Sequence, residues 1–198
     1  MFIDKNGVVR MPKAYLAGTE IFYPDSERTQ IKYHDLCEKY GVLAYYPADK
    51  APEDEYKDYL QKDDSIHEME KRFFSHDLNH IKRTDIIIAN LNDYRGNEPD
   101  SGTAVECGIA WGMGHRCFGF VDDIRPMKER FKGVKREDEN GVLCDKNGAH
   151  IEDFDMPLNL MFSDFTIFEG TLEDALKGIR KIFDKELEEK GLPPFEVI

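Results

Sequence analysis

The sequence lacks a hydrophobic run long enough to cross a bilayer, and residues 1–13 lack the apolar segment of a secretion signal. Basic residues are scarce, since 27 Lys and Arg face 40 Asp and Glu, for a formal net charge of −13. A surplus of acid repels nucleic-acid phosphates and anionic lipids, so the sequence predicts no nucleic-acid and no membrane partner. The four cysteines form no CxxC pair and no zinc-ligand spacing. These absences predict a soluble protein of a reducing, cytoplasmic environment.

The motifs of several common catalytic and cofactor sites are also missing. There is no P-loop, no GxGxxG in a strand–helix context and no GxSxG elbow. The six histidines show no HExxH or other paired-ligand spacing, so we assign no metal. Carboxylates therefore remain as the reactive groups that the sequence favours.

Strands and helices alternate along the 198 residues, which suits one domain over residues 1–198. Short apolar runs predict strands, and apolar residues at helical spacing predict helices. The strands are predicted at 13–18, 42–46, 85–91, 116–121 and 165–168, and the helices at 26–40, 65–83, 101–113 and about 171–190. Residues 122–155 show no clear period and are predicted to form an insertion or lid. The pattern predicts a parallel α/β sandwich with its ligand site beyond the carboxyl ends of the strands.

Asp77 interrupts the apolar stripe of the predicted helix 65–83. That stripe consists of Ile66, Met69, Phe73 and Ile81. An unpaired carboxylate on it would be costly, so Asp77 either has a partner or faces a cavity, unless the helix kinks and turns it to solvent. In an apolar pocket its pKa would rise, which suits a group that donates a proton near neutral pH.

A second feature, Asp100-Ser-Gly-Thr-Ala-Val-Glu106-Cys-Gly, joins the apolar run 85–91 to a helix. Ser101 or Thr103 is predicted to cap this helix, and Gly102 allows close approach to the backbone. Glu106 would lie near the positive end of the helix dipole, which favours its ionised form. The structural alternative is that Thr103 and Glu106 form a capping box. Tyr15, at the end of the first strand, is either a helper of the carboxylates or a core aromatic.

Four ordered segments resemble the nucleoside 2-deoxyribosyltransferase family. They are residues 15–18 (Tyr-Leu-Ala-Gly), 76–91 (His-Asp-Leu-Asn to Ile-Ile-Ile-Ala-Asn-Leu), 100–108 as quoted above and 157–161 (Pro-Leu-Asn-Leu-Met). The resemblance implies a flavodoxin-like (Rossmannoid) α/β fold, with a parallel sheet of about five strands and helices on both faces. It also implies no cofactor, 2′-deoxynucleosides and free nucleobases as substrates in salvage, and a homo-oligomer, a tetramer or hexamer, whose subunits share their sites.

The resemblance also implies a role for each matching residue. Glu106 matches the nucleophile that attacks C1′, and Asp77 matches the acid/base group that serves the nucleobase. Tyr15 matches the residue that orients the nucleophile. The sugar-site residues implied are Asp100, which holds the deoxyribose hydroxyls, with Gly18, Ser101 and Gly102 nearby, and Asn159 and Met161, which a neighbouring subunit lends.

Two departures from shorter family members leave questions open. The insertion 122–155 leaves base preference undecided, and a tail ending in Pro-Pro-Phe-Glu-Val-Ile replaces their C-terminal tyrosine. One rival function is hydrolysis of deoxynucleosides or their 5′-monophosphates. Asp100 and Asn159 argue against the monophosphates, since an aspartate would repel a phosphate. Another rival is a non-catalytic nucleotide sensor, for which paired carboxylates have no use.

Overall fold

The structure, a computed structural model, describes residues 9–50 and 65–193. Its strands are β1 (Lys13–Ala17), β2 (Leu43–Tyr45), β3 (Ile86–Asn90), β4 (Arg116–Val121), β5 (Arg136–Glu137), β6 (Leu143–Cys144) and β7 (Thr166–Glu169). Five of them form one parallel sheet in the order β2-β1-β3-β4-β7, and β5 pairs with β6 in an antiparallel hairpin. The order reverses between β1 and β3, where proteins with open parallel sheets bind ligands.

Helices cover both faces of the sheet. They are α1 (Ser26–Lys39), α2 (Ile66–Lys82), α3 (Ser101–Gly112), α4 (Met127–Arg130) and α5 (Leu172–Glu189), with 3-10 turns at Thr19–Phe22 and Leu160–Phe162. Side chains alternate across a strand, so Leu16 of β1 packs in the core with α1 and α5, and Tyr15 packs in the core with α2 and α3. The predicted flavodoxin-like sheet with helices on both faces is confirmed. In the described part of the chain, none of the helices could span a bilayer.

The predicted C-terminal helix is confirmed as α5. It begins after Thr171, which forms a reciprocal capping box with Asp174. Its apolar positions recur at helical spacing and are all buried: Leu172, Leu176, Ile179, Phe183 and Leu187. Burying each such side chain stabilises the fold by about 1.5–3 kcal/mol, so this stripe fixes the helix on the sheet.

The stripe predicted for α2 is wrong in its first turns. Ile66 is 77% exposed and Phe73 is 47% exposed, whereas His76, His80 and Ile81 are buried. The rings of His76 and His80 lie 4.1 Å apart, and His76 Nε2 is 3.1 Å from the carbonyl of Pro47. The Pro47 carbonyl offsets the burial of His76, whereas Nδ1 of His80 is buried without a hydrogen-bond partner among the described residues, so two polar residues occupy the face that an apolar pattern assigns to other positions.

The segment 122–155 follows β4 and contains α4 and the β5–β6 hairpin. A hydrogen bond from the Met127 amide to the Met156 carbonyl, 2.8 Å long, closes its base. The four cysteines, at positions 37, 107, 117 and 144, are free and buried. Residues 194–198, which include most of the tail noted above, lie outside the described residues.

Candidate active site

Asp100 caps the start of helix α3, and this corrects the predicted cap. The Asp100 carboxylate accepts hydrogen bonds from the amide of Thr103, at 3.0 Å, and from its hydroxyl, at 3.3 Å. Asp100 is therefore the N-cap, and neither Ser101 nor Thr103 is. The alternative of a Thr103–Glu106 capping box is wrong as well. Asp100 serves as the cap because its carboxylate accepts both hydrogen bonds from a position just outside the helix.

Tyr15 and Glu106 meet between β1 and α3. The Tyr15 hydroxyl donates a 2.6 Å hydrogen bond to Glu106 Oε1. The sequence pattern predicts Tyr15 at the end of the first strand, but it lies in the middle of β1. Its side chain is fully buried. Because of its position in the strand, the Tyr15 side chain packs on the side of the sheet that α2 and α3 cover.

Asp77 faces a cavity rather than solvent, which resolves the alternatives left open for it. The cavity, of about 330 Å³, lies between α2 and α3. Its lining includes Asp77 and Glu106 together with Ser101, Gly102, Phe74, Leu78, Ile81, Val105 and Ile109. Two carboxyl groups thus share a mostly apolar pocket whose volume lies in the range of small-ligand sites.

Burial controls the ionisation of both carboxyls. Loss of solvation raises the pKa of Asp77 to about 6, although its hydrogen bond with Tyr15 acts in the opposite direction. Loss of solvation also raises the pKa of Glu106 to about 7; the Tyr15 hydrogen bond lowers it, and the charges of Asp77 and Asp100 raise it further. Burial therefore outweighs the helix dipole that was expected to favour the ionised form of Glu106.

Tyr15 remains a neutral donor between them. Burial, followed by the nearby charges of Glu106 and Asp77, raises the pKa of Tyr15 far above its ordinary value. Tyr15 therefore stays a neutral phenol near neutral pH and donates its hydrogen bond to Glu106. The site can therefore hold one proton on the pair of carboxyls near neutral pH, with Tyr15 fixing the orientation of Glu106.

The remaining predicted sugar-site residues fall into two groups. Asp100 caps the helix whose first residues, Ser101 and Gly102, line the cavity. Gly18 follows β1, where a Cβ would collide with Glu20 Oε2 and lie 3.0 Å from Asn90 Cβ. Asn159 and Met161 are not brought to Glu106. They line a separate cavity of about 360 Å³, next to Cys107 and Trp111 of α3, and Met161 is 77% exposed.

Sequence reasoning missed a polar network at the carboxyl edge of the sheet. The Asn90 amide donates to Glu20 Oε1 at 2.7 Å, and Tyr33 donates to the same oxygen at 2.7 Å. Asn90 Oδ1 in turn accepts from the backbone and side chain of Asn92. The sequence does contain a sign of this network. Asn90 ends one buried strand and Glu20 follows another, and the two strands are neighbours in a parallel sheet.

Metal-ligand chemistry lies elsewhere in the described part of the chain. Across residues 9–50 and 65–193, the side chains that are close enough to share a cation are Asp138, Cys144 and His150, in the segment after β4. The cavity of Asp77 and Glu106 holds no such group among those residues.

The fold and the site define a flavodoxin-like α/β protein in which two half-buried carboxyls line one cavity. The sequence model of the nucleoside 2-deoxyribosyltransferase family matches residues 14–161, so the chain belongs to that family. This confirms the resemblance seen in the sequence. Family membership implies nucleoside and nucleobase substrates and an enzyme of the deoxyribosyltransferase or N-glycosidase kind.

The chain is also similar to several solved structures. A 2-deoxyribosyltransferase from Leishmania mexicana is 27% identical, with a TM-score of 0.62 over 85% of this chain and 96% of that one. A 2-deoxyribosyltransferase from Bacillus psychrosaccharolyticus is 23% identical, with a TM-score of 0.42 over 65% of this chain and 88% of that one. A CMP N-glycosidase from Clostridium botulinum is 12% identical, with a TM-score of 0.41 over 84% and 97%. A search of curated proteins gives no match.

Proposed function

We propose that the protein transfers the 2-deoxyribosyl group between nucleobases of 2′-deoxynucleosides through a covalent deoxyribosyl-Glu106 intermediate. The observation that carries the proposal is the joint placement of Asp77 and Glu106 in one cavity, with Tyr15 in contact with Glu106. Two carboxyls with separate duties are what a retaining displacement at a glycosidic carbon requires. No cofactor enters this reaction.

In the first half-reaction, a Glu106 oxygen attacks C1′ and forms a C1′–O bond. The bond from C1′ to the base nitrogen breaks, and its electron pair leaves with the base. Asp77 donates its proton to that base, for which a carboxyl with a pKa of about 6 is well suited. Tyr15 holds Glu106 Oε1 at 2.6 Å and directs the carboxylate.

In the second half-reaction, a nitrogen of the incoming base attacks C1′ from the side that the first base left. The C1′–O bond breaks, Glu106 recovers its charge, and Asp77 accepts the proton of the incoming base. Two inversions return the β-anomer. The kinetics are therefore ping-pong, and the same site serves the departing and the arriving base.

The deoxyribose is held at the N-terminus of α3. We assign Asp100 to the sugar hydroxyls and Ser101 and Gly102 to the cavity wall next to them. Gly18 keeps the end of β1 free of a side chain. Asn159 and Met161, on a surface away from Glu106, would then act in the site of a neighbouring subunit of a homo-oligomer, a tetramer or hexamer.

Water must be kept from the intermediate, because hydrolysis would destroy it. We assign this task to the segment 122–155 as a lid on a one-domain enzyme of cytoplasmic nucleoside salvage. Hydrogen–deuterium exchange in that segment is expected to slow when a deoxynucleoside is added. Equal exchange with and without the nucleoside would remove the lid from the proposal.

A chromatographic assay tests the proposal directly. The protein is incubated with 2′-deoxyinosine and cytosine, and in a second reaction with 2′-deoxyinosine and adenine. New deoxycytidine identifies exchange across both base classes, and new deoxyadenosine alone identifies a purine-restricted transferase. Glu106→Gln is expected to lower turnover by at least about 10³-fold. The matched control, Glu188→Gln on the exposed side of α5, should leave turnover unchanged.

The other outcomes separate the rival functions. Free hypoxanthine with no new nucleoside would identify a hydrolase. If deoxyinosine is unchanged in both reactions and thymidine and deoxycytidine also fail as donors, the catalytic proposal is wrong. Mass spectrometry of the intact protein with donor alone should show one added deoxyribosyl group, absent in Glu106→Gln.

A further inference from the structure

Two consecutive turns of the same sequence pattern, Asp-x-Asn-Gly, shape the hairpin after β4. In the first turn, Asp138 Oδ1 accepts from the amides of Asn140 at 2.9 Å and Val142 at 2.8 Å. In the second, Asp145 Oδ1 accepts in the same way from the residues two and four positions later, at 2.8 Å and 3.0 Å. Gly141 and Gly148 supply the positive φ of each turn, 78° and 89°.

The two turns bring together three side chains that are well separated along the chain. Asp138 stands at the start of the first turn, Cys144 between the turns and His150 after the second. Cys144 lies on β6, paired with Arg136 on one side and bridged to His150 on the other. As a result, a carboxylate oxygen, a thiol sulfur and an imidazole nitrogen lie within 4.8 Å of one another.

We propose that Asp138, Cys144 and His150 bind a zinc ion. The donor set combines a thiolate, an imidazole and a carboxylate, which Zn²⁺ accepts together and the hard cations Mg²⁺ and Ca²⁺ do not. Ligand atoms around tetrahedral zinc are separated by about 3.3–3.8 Å, given bonds of about 2.0–2.3 Å. His150 Nε2 and Asp138 Oδ2 are 3.5 Å apart, which lies within this range of separations. The same distance is too long for a good hydrogen bond.

The surroundings fit three protein ligands and one open position. Cys144 is 3% exposed, and its Sγ contacts the Val142 carbonyl at 3.3 Å, a weak hydrogen bond that a metal ion would replace. His150 lies on the solvent side, so water can occupy the fourth position of the ion. The backbone holds Asp138 through its other oxygen, so binding requires little movement of the carboxylate.

A bound zinc ion would crosslink a segment that buries few side chains of its own. Between α4 and the 3-10 turn at Leu160–Phe162, the buried residues are Cys144, Ile151 and Leu158. Small polar segments of this kind gain much of their order from a bound metal. The inference does not depend on the reaction proposed above, because it concerns the order of the segment 122–155.

Cobalt substitution tests the site without any activity assay. The metal-free protein is titrated with Co²⁺, and the expected result is one equivalent bound, with tetrahedral visible bands and a near-ultraviolet charge-transfer band from a thiolate. Cys144→Ser should lose the charge-transfer band, and His150→Ala and Asp138→Asn should each weaken binding at least about tenfold. Zn²⁺ should displace the cobalt.

Matched controls and a second readout keep the test decisive. Glu139→Gln, next to Asp138, and His67→Ala, on the exposed side of α2, should bind cobalt like the original protein. Zn²⁺ should raise the melting temperature of the original protein and the controls but not that of His150→Ala. The proposal is wrong if one equivalent of Co²⁺ gives no charge-transfer band, or if the band survives in Cys144→Ser. Equal affinity in His150→Ala and the original protein would also overturn it.

Discussion

The hydroxyl of Tyr15, the middle residue of β1, lies 2.6 Å from Glu106 Oε1. One hydrogen bond therefore connects the core of the sheet with the cavity. The same phenol also interacts with Asp77 and lowers its pKa. One buried side chain thus couples two carboxyls carried by two different helices. Removal of the Tyr15 hydroxyl should therefore alter the site while the aromatic ring stays in β1.

Tyr15→Phe is expected to keep the fold and reduce kcat by about 10–100-fold, the value of a hydrogen bond to a charged group. Because the hydroxyl lowers the pKa of both Glu106 and Asp77, its loss should raise both pKa values and move both limbs of the pH–rate profile to higher pH. The measurement is kcat against pH for both proteins. Tyr40→Phe, which loses a hydrogen bond to Glu173 far from the cavity, is the control. An unshifted limb would count against coupling through Tyr15.

The pH dependence of kcat/KM should be bell-shaped, with its maximum between about pH 6 and pH 7. The reaction needs one proton on the pair of carboxyls, whose pKa values are raised to about 6 and about 7. Below this range both Asp77 and Glu106 are protonated and the nucleophile is lost. Above it both are ionised and the acid is lost. A rate that stays flat from pH 5 to pH 9 would contradict the assignment.

Glu106→Gln should stabilise the protein at alkaline pH while it removes activity. Folding raises the pKa of Glu106 from 4.5 to about 7, so ionising the buried carboxyl opposes folding above that range and costs nothing below pH 4.5. We expect a gain of about 1–3 kcal/mol in the free energy of unfolding at pH 8, and none at pH 4. Urea unfolding at both pH values measures it. Equal stability at pH 8 would show that Glu106 imposes no such cost.

Acid should destabilise the protein through His80 before most carboxylates are protonated. Burial, and then the charge of His76, lowers the pKa of His80 to about 4 in the folded state. Stability that is fully present above pH 6.5 is therefore lost as the pH falls from 6.5 toward 4. The loss from this group should be about 1–3 kcal/mol. The raised pKa of His34 beside Asp49 acts in the opposite direction and offsets part of it.

His80→Phe keeps an aromatic ring between Tyr45 and His76 and removes the titration. Its unfolding free energy should change less between pH 7 and pH 4 than that of the original protein. His67→Ala, a change at an exposed position, should leave the pH dependence as it was. If all three proteins lose stability equally on acidification, His80 is not the responsible group.

Most of the fold was predictable because its strands and α5 carry strong local patterns. The β-branched run of β3 is buried on both faces, as its continuous apolar sequence predicts. Helix α2 was predicted in extent but not in phase, since the pattern counts His76 and His80 as polar. Their burial depends on the contact between the two rings and on the Pro47 carbonyl, which no local pattern contains.

The site was predictable to the same degree. The local patterns left structural alternatives open for Asp77 and Glu106, and only the resemblance to the family assigned both to one site; both line the same cavity. The cap was not predictable, because 100–103 offers several good capping residues and the path of the chain decides among them. The cluster of Asp138 and His150 escaped for another reason: two turns, rather than a known ligand spacing, bring the residues together.

The sugar-binding role that we propose for Asp100, added to its role as the N-cap of α3, has a consequence for how this protein can change over generations. One carboxylate oxygen holds the first turn of α3, the helix that carries Glu106. In the proposed site, a substitution at position 100 that alters sugar choice would also destabilise the first turn of the helix that carries Glu106. New sugar preferences are therefore easier to acquire through neighbours such as Ser101, whose side chain caps nothing. Asp100 limits which evolutionary paths toward new substrates stay open.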